Sequence, residues 1–180
     1  MTVTITASDD RSGVAGVRYR LDQSNWITAT VIPISSDGNH TLEYQAVDVA
    51  GNVQAVQSLP IPLDRTPPTT AYQYDPNTVV GDNGWYRSPI TLTLIPTDLV
   101  SGVSHTRYRI DNGNWQTGTQ FVLADQGEHT VEFYSTDVAG NVETPYPVVF
   151  KIDSVAPVAP PPPTTTPGAW TAQQLRFHLE

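Results

Sequence analysis

Asp9, Asp48 and Asn52 return 89 residues later as Asp98, Asp137 and Asn141, in the same order and at the same spacing. Their side chains are hard oxygen donors, and a calcium ion collects roughly six to eight such oxygens. With Asp10 added to the first set, and backbone carbonyls to both, each set has the chemistry of a calcium site. Two features oppose that reading. There is no dense Asp-x-Asp-x-Asp run in the chain. The segment Asp48-Val49-Ala50-Gly51-Asn52 is also a turn sequence, in which Asp and Asn side chains hold neighbouring backbone N–H groups and Gly takes a positive φ.

Trp26, Trp115, Trp85 and Tyr86 carry the second chemistry. Flat aromatic faces suit the apolar faces of sugar rings, so these four are the carbohydrate-binding candidates. The competing role is packing at a sheet edge over arginine stems. Trp26 and Trp115 are 89 residues apart, and a position kept in both copies serves the fold that both must adopt.

His40 and His129 are also paired by the offset, whereas His105 and His178 have no counterpart. No Gly-x-Ser-x-Gly elbow, His-Glu-x-x-His or glycine-rich phosphate loop accompanies them. Among 18 acidic residues no pair stands out as a glycosidase couple. The chain therefore reads as no enzyme, with no catalytic residue and no cofactor apart from the calcium reading.

The offset of 89 is global. Residues 1–68 align with 90–157 without a gap, and 26 of the 68 pairs are identical. A fixed period marks an array of one structural unit, and repeated units more often space, display or bind than catalyse. Each period is long enough to hold a small core. Charged residues make up 15% of the chain, against about 25% in ordinary globular proteins. The net charge of −9 excludes a nucleic-acid partner, which needs a basic surface, and disfavours anionic membranes. There is no cysteine, hence no disulfide and no thiolate metal site. No apolar run reaches the ~18 residues needed to span a membrane.

Period-two alternation dominates both copies. Val17, Tyr19 and Leu21 alternate with arginines, as Thr106, Tyr108 and Ile110 do. Leu42, Tyr44 and Ala46 correspond to Val131, Phe133 and Ser135, and Leu59, Ile61 and Leu63 to Val148, Phe150 and Ile152. This predicts half-buried antiparallel strands, with Arg20 and Arg109 on the outer face opposite Glu43 and Glu132. Asn112-Gly113 predicts a tight hairpin with positive φ, and Asp22-Gln23-Ser24-Asn25 a poorer version of it. Short strands with turns every eight to twelve residues or so predict a sandwich. In immunoglobulin lettering, residues 2–7 are B, 16–21 C, 26–30 C′, 31–35 E, 40–48 F and 53–63 G, and strand A of the second unit falls within 69–74. The B–C and F–G loops then share one end, which brings each Asp/Asn set together. Asp64, leaving the first unit, enters the same joint.

The second unit runs Gly84-Trp85-Tyr86, Ser101-Gly102-Val103, Tyr108-Arg109-Ile110-Asp111, Trp115 and Asp137-Val138-Ala139-Gly140-Asn141. This resembles the bacterial Ig-like repeats of large surface proteins and of accessory modules in secreted glycosidases. The resemblance implies an exported bacterial protein and a module without chemistry of its own. The expected architecture is all-β: tandem immunoglobulin-like β-sandwiches joined by a Pro-containing linker. Residues 1–65 form an Ig-like repeat lacking its first strand, and 66–154 a complete one. Residues 155–180 form a Pro-rich link and the first strand of a truncated third repeat, where Trp170 and Leu175–His178 echo the second unit's start. The expected function is a non-catalytic spacer or display segment, secreted or on the bacterial surface, whose partners are neighbouring repeats. The alternative is an accessory module that binds polysaccharide or a surface protein through exposed Trp and Tyr.

Overall fold

Strands form where β-branched and aromatic residues alternate with polar ones, and glycines and Asx residues punctuate them. The computed structural model describes residues 1–75 and 77–161. All its regular elements are strands. The first unit contains β1 (Thr2–Thr4), β2 (Val14–Leu21), β3 (Ile27–Thr28), β4 (Val31–Pro33), β5 (Gly38–Asp48) and β6 (Gln57–Leu63). The second contains β7 (Thr69–Tyr74), β8 (Trp85–Tyr86), β9 (Ile90–Thr97), β10 (Val103–Ile110), β11 (Gln116–Thr117), β12 (Gln120–Leu123), β13 (Gly127–Asp137) and β14 (Tyr146–Ile152).

Each unit is a two-layered sandwich. In the first, β1-β4 faces β3-β2-β5-β6; in the second, β12-β9-β7 faces β11-β10-β13-β14-β8. Registers repeat with the sequence. Tyr19 lies opposite Tyr44 and Arg20 opposite Glu43, as Tyr108 lies opposite Phe133 and Arg109 opposite Glu132. Both long pairs carry an irregularity at the same place, Val14/Gly16 and Val103/His105. The cores are separate. Ile32, Ile34, Leu42 and Ile61 are the buried centre of the first. The second is larger, with Leu92, Leu94, Phe133, Phe150 and Ile152 among ten buried residues. The all-β, Ig-like architecture expected from the alternation is therefore present.

Four details differ from expectation. The hairpin's left-handed residues are Asp111 and Asn112, at φ 51 and 58, not the Asn-Gly pair. Gly113 N donates to Ile110 O instead, so the turn sits one residue earlier, with positive φ at both central positions. Asp22 and Gln23 do the same in the first copy. Second, β1 stops at Thr4, although Ile5 N still donates to Thr30 O. Third, residues 53–56 precede β6 rather than joining it, because the Asp48–Asn52 turn ends in a single bridge, Val47 to Val53. Fourth, Trp85-Tyr86 forms a short strand parallel to β14, too brief to leave a periodic signal. The expectations for Trp170 and Leu175–His178 lie outside the described residues.

Candidate functional site

The Asp-Val-Ala-Gly-Asn segments close the β5 and β13 ends. Asp48 Oδ1 accepts Asn52 N at 2.7 Å, and Asn52 Nδ2 donates to Asp48 Oδ2 at 2.7 Å. Asp137 and Asn141 repeat both bonds at 2.7 Å. Asn52 holds the Asp48 carboxyl below the usual carboxylate range. In the preceding loop Asp9 Oδ2 accepts Ser12 N and Gly13 N, each at 2.8 Å. Those N–H groups and that of Arg11 hold the Asp9 carboxyl low, that of Gly13 foremost. Asp98 Oδ1 accepts Gly102 N at 2.7 Å. The turn role assigned to the Asp48–Asn52 segment is thus realised in both copies, and Asp9 and Asp98 cap their own loops in the same way.

The loops also meet as the sequence predicts. Asp9, Asp48 and Asn52 line one cavity at the end of the first sandwich. In the second, Asp98 and Asp137 are joined by Asp64, which the chain carries in from β6. One carboxylate oxygen of each of these three lies within 4.8 Å of the other two, and Asp137 is buried. Asp64 Oδ2 accepts Ser101 N at 3.0 Å, and Asn141 Nδ2 donates to Asp64 O at 3.2 Å. The Ser101 side chain, followed by the Thr66 N–H, is the main cause that lowers the Asp64 carboxyl. Asp64 therefore ties the end of one sandwich to both loops of the next. As oxygen donors the three carboxylates supply only part of a calcium shell, and both oxygens of Asp137 already serve Asn141.

The aromatic candidates are half-buried, and three of them lie beneath cations. Arg20 Cζ stands 5.0 Å from the Trp26 ring and Arg109 Cζ 4.8 Å from the Trp115 ring. The same arginines pair with Glu43 at 2.7 Å and Glu132 at 2.6 Å. Trp115 also meets Tyr134 edge-on at 4.8 Å. Lys151 Nζ stands 5.8 Å over Trp85. Tyr86 packs on Tyr74 and Phe150, and burial raises its phenol pKa. The four do not form one platform: Trp26 belongs to the first unit, and Trp115 and Trp85 lie beside opposite edges of the second unit's five-stranded sheet.

One buried polar group had a faint sequence signal. Ser135 occupies an inward phase of β13. Its Oγ lies 2.7 Å from Thr70 Oγ1 and 2.8 Å from Thr106 Oγ1, and Thr70 Oγ1 donates to Glu143 Oε2 at 2.6 Å. This network fastens β7 to the opposite sheet.

Residues 2–65 match the model of a family described as a bacterial Ig-like domain. Among solved structures, the chain is similar to the fibronectin(III)-like modules of Clostridium thermocellum CbhA. The identity is 16%, the match covers 88% of this chain and 89% of that one, and the TM-score is 0.39. No curated protein matches. The matched segment carries one copy of the repeated motifs, and residues 90–152 repeat its strand order and register.

Proposed function

We propose that this chain is a non-catalytic spacer made of Ig-like repeats, part of an exported or surface-attached bacterial protein. One observation carries the reading: Asp64 bonds the end of the first sandwich to Ser101 and Asn141 in the two loops of the second. A joint made this way resists bending and so transmits position. The acidic residues and histidines that repeat are also occupied in both copies by turn and loop contacts, which supports a structural use. Bacterial Ig-like modules are common in extracellular proteins, in keeping with the proposed location. Small-angle scattering of the chain and of Asp64→Ala tests the reading. A maximum dimension that broadens in the variant supports it. Identical profiles, or interdomain motion already unrestricted in the parent, would refute it.

The convergence of Asp64, Asp98 and Asp137 favours a second reading, in which calcium stiffens the joint. Close like charges repel, and a cation removes that cost. Millimolar calcium should then raise the melting temperature, and Asp64→Asn should abolish the increase; no calorimetric heat and no shift would eliminate it. The carbohydrate alternative predicts that polysaccharide binding is lost in Trp115→Ala.

A further inference from the structure

Four of the chain's eight tyrosines converge on one side of the second sandwich. Tyr72 and Tyr74 come from β7, Tyr86 from β8 and Tyr146 from β14. They rest on the buried rings of Phe133 and Phe150. Tyr146 meets Phe133 edge-on at 4.8 Å, and Tyr72 meets both phenylalanines at 5.9 Å. Tyr86 lies 6.2 Å from Phe150 and 5.6 Å from Tyr74. The six rings are therefore one continuous cluster. Its outer members stay accessible: Tyr72, Tyr74 and Tyr146 are 38%, 41% and 40% exposed.

The repeated fold does not require this cluster. By the offset of 89, Gln57 stands where Tyr146 stands and Ile61 where Phe150 stands. Burial first, then the neighbouring Tyr74, raises the Tyr86 phenol pKa, and burial, then Tyr72, raises that of Tyr146. Both phenols thus stay protonated. The four side chains present O–H donors on apolar rings and carry no charge.

A polyproline II chain complements such a surface. It offers pyrrolidine rings, carbonyls without internal partners and, at each proline, no N–H. Aromatic side chains recognise that preformed, low-entropy shape. The chain contains a run of this composition, Pro157-Val158-Ala159-Pro160-Pro161-Pro162-Pro163. Residues 155–161 are all exposed, Val158 at 94%. The run leaves from Asp153, whose N–H donates to Tyr86 O at 2.9 Å. Its counterpart in the first copy, Asp64–Pro68, runs on into β7 rather than back along its own sheet. We infer that the tyrosine strip docks the polyproline run of a second copy and so links neighbouring chains. Tyrosine hydroxyls donate to carbonyls of the run, and the rings pack on its pyrrolidines. The contact is uncharged, yet it joins chains of net charge −9. Salt therefore strengthens it, by screening the repulsion between copies.

Sedimentation equilibrium of the full 180-residue chain should show reversible self-association that increases with salt. A synthetic peptide of residues 155–164 should dissolve that association and shift the ring resonances of the four tyrosines. The double variant Pro160→Gly, Pro161→Gly should abolish association while the melting curve stays as in the parent, since both positions are exposed. Tyr146→Gln imports the first copy's own residue and should weaken peptide binding about tenfold, the loss of one aromatic contact. Should it fail to fold, Tyr74→Phe removes only a hydroxyl and should also weaken binding. No peptide binding at millimolar concentration, or association unchanged in the double glycine variant, would overturn the inference. A chain that stays monomeric, yet whose tyrosine resonances move in the glycine variant, would also overturn it and place the run on its own strip. A neutral oligosaccharide that shifts the same tyrosines where the peptide does not would overturn it and assign the strip to glycan.

Discussion

His40 Nδ1 lies 2.7 Å from Asp22 Oδ2, while His40 Nε2 lies 2.9 Å from the Ser36 carbonyl oxygen. His129 repeats this with Asp111 at 2.7 Å and the Asp125 carbonyl at 3.0 Å. Carboxylate and carbonyl both accept, so the ring donates from both nitrogens only as the imidazolium. Each histidine therefore pins the left-handed hairpin turn to the loop before β5 or β13.

This geometry sets a pH dependence. The Asp22 carboxylate, then the Ser36 carbonyl, raises the His40 pKa above its ordinary 6.5. The contribution is complete below 6.5 and is lost as pH rises through the folded value. The Asp22 pKa is lowered from 3.8, first by His40, so its contribution is complete above 3.8 and is lost as pH falls through the folded value. The second copy has the same two directions. The melting temperature should be highest between about pH 4 and 6.5. It should decline on the alkaline side well before tyrosine ionises, with that decline flattened in the double variant His40→Gln, His129→Gln. Differential scanning calorimetry across pH 3 to 9 or so checks this. An alkaline decline unchanged in the double variant would contradict it.

The joint gives a second prediction. Asp64→Ala removes the acceptor for Ser101 N but leaves the Asp64 backbone carbonyl to Asn141. Each sandwich should keep its own fold while their coupling weakens. Nuclear relaxation should report tumbling rates for the two units that diverge in the variant. Amide shifts confined to residues 64–66, 98–102 and 137–141 would accompany the divergence, whereas loss of dispersion in either unit would show that Asp64 holds a core instead.

How far the sequence reached depended on whether a feature repeats locally. Alternation located β2, β5, β9, β10, β13 and β14, because one buried face forces period two. Proline and Asx punctuation located the joint, and the shared loop end brought Asp98 and Asp137 to Asp64. The Trp85-Tyr86 strand was illegible because two residues carry no period; its place follows from a parallel neighbour sixty-odd residues away. The histidine pins were half-legible. Asp22, His40, Asp111 and His129 all obey the offset, but their contact depends on a turn shifted by one residue. Leu59 is in phase yet 43% exposed, because β6 is the outer strand of its sheet.

Unequal cores predict unequal stability. Four residues form the buried centre of the first sandwich and ten that of the second. Calorimetry should resolve two transitions, the lower belonging to residues 1–63. Leu42, fully buried, should cost about 2–5 kcal/mol when truncated to Ala. That is comparable with the whole stability of a small domain, so Leu42→Ala should remove the lower transition alone. Phe133→Ala should cost about 3–5 kcal/mol and lower only the upper one, since the ring meets Tyr146 at 4.8 Å and Tyr72 at 5.9 Å. A single merged transition in the parent chain would show that the sandwiches unfold as one body.

Gly51 and Gly140 separate backbone cost from packing cost. Their φ angles are +94 and +96, and a Cβ added at either would meet nothing within 4 Å. Alanine at these positions meets only the local backbone clash of its Cβ, about 1–2 kcal/mol in the left-handed region. Gly51→Ala and Gly140→Ala should therefore lower the urea midpoint of their own unit by similar increments, with unchanged m-values, since neither alters the buried surface. Asparagine should be better tolerated than alanine at both sites, because its short amide tolerates positive φ. An alanine penalty at Gly140 well above that at Gly51 would mean that the turn beside Asp64 bears strain from the joint, and would place part of the inter-unit coupling in Asp137–Asn141 itself.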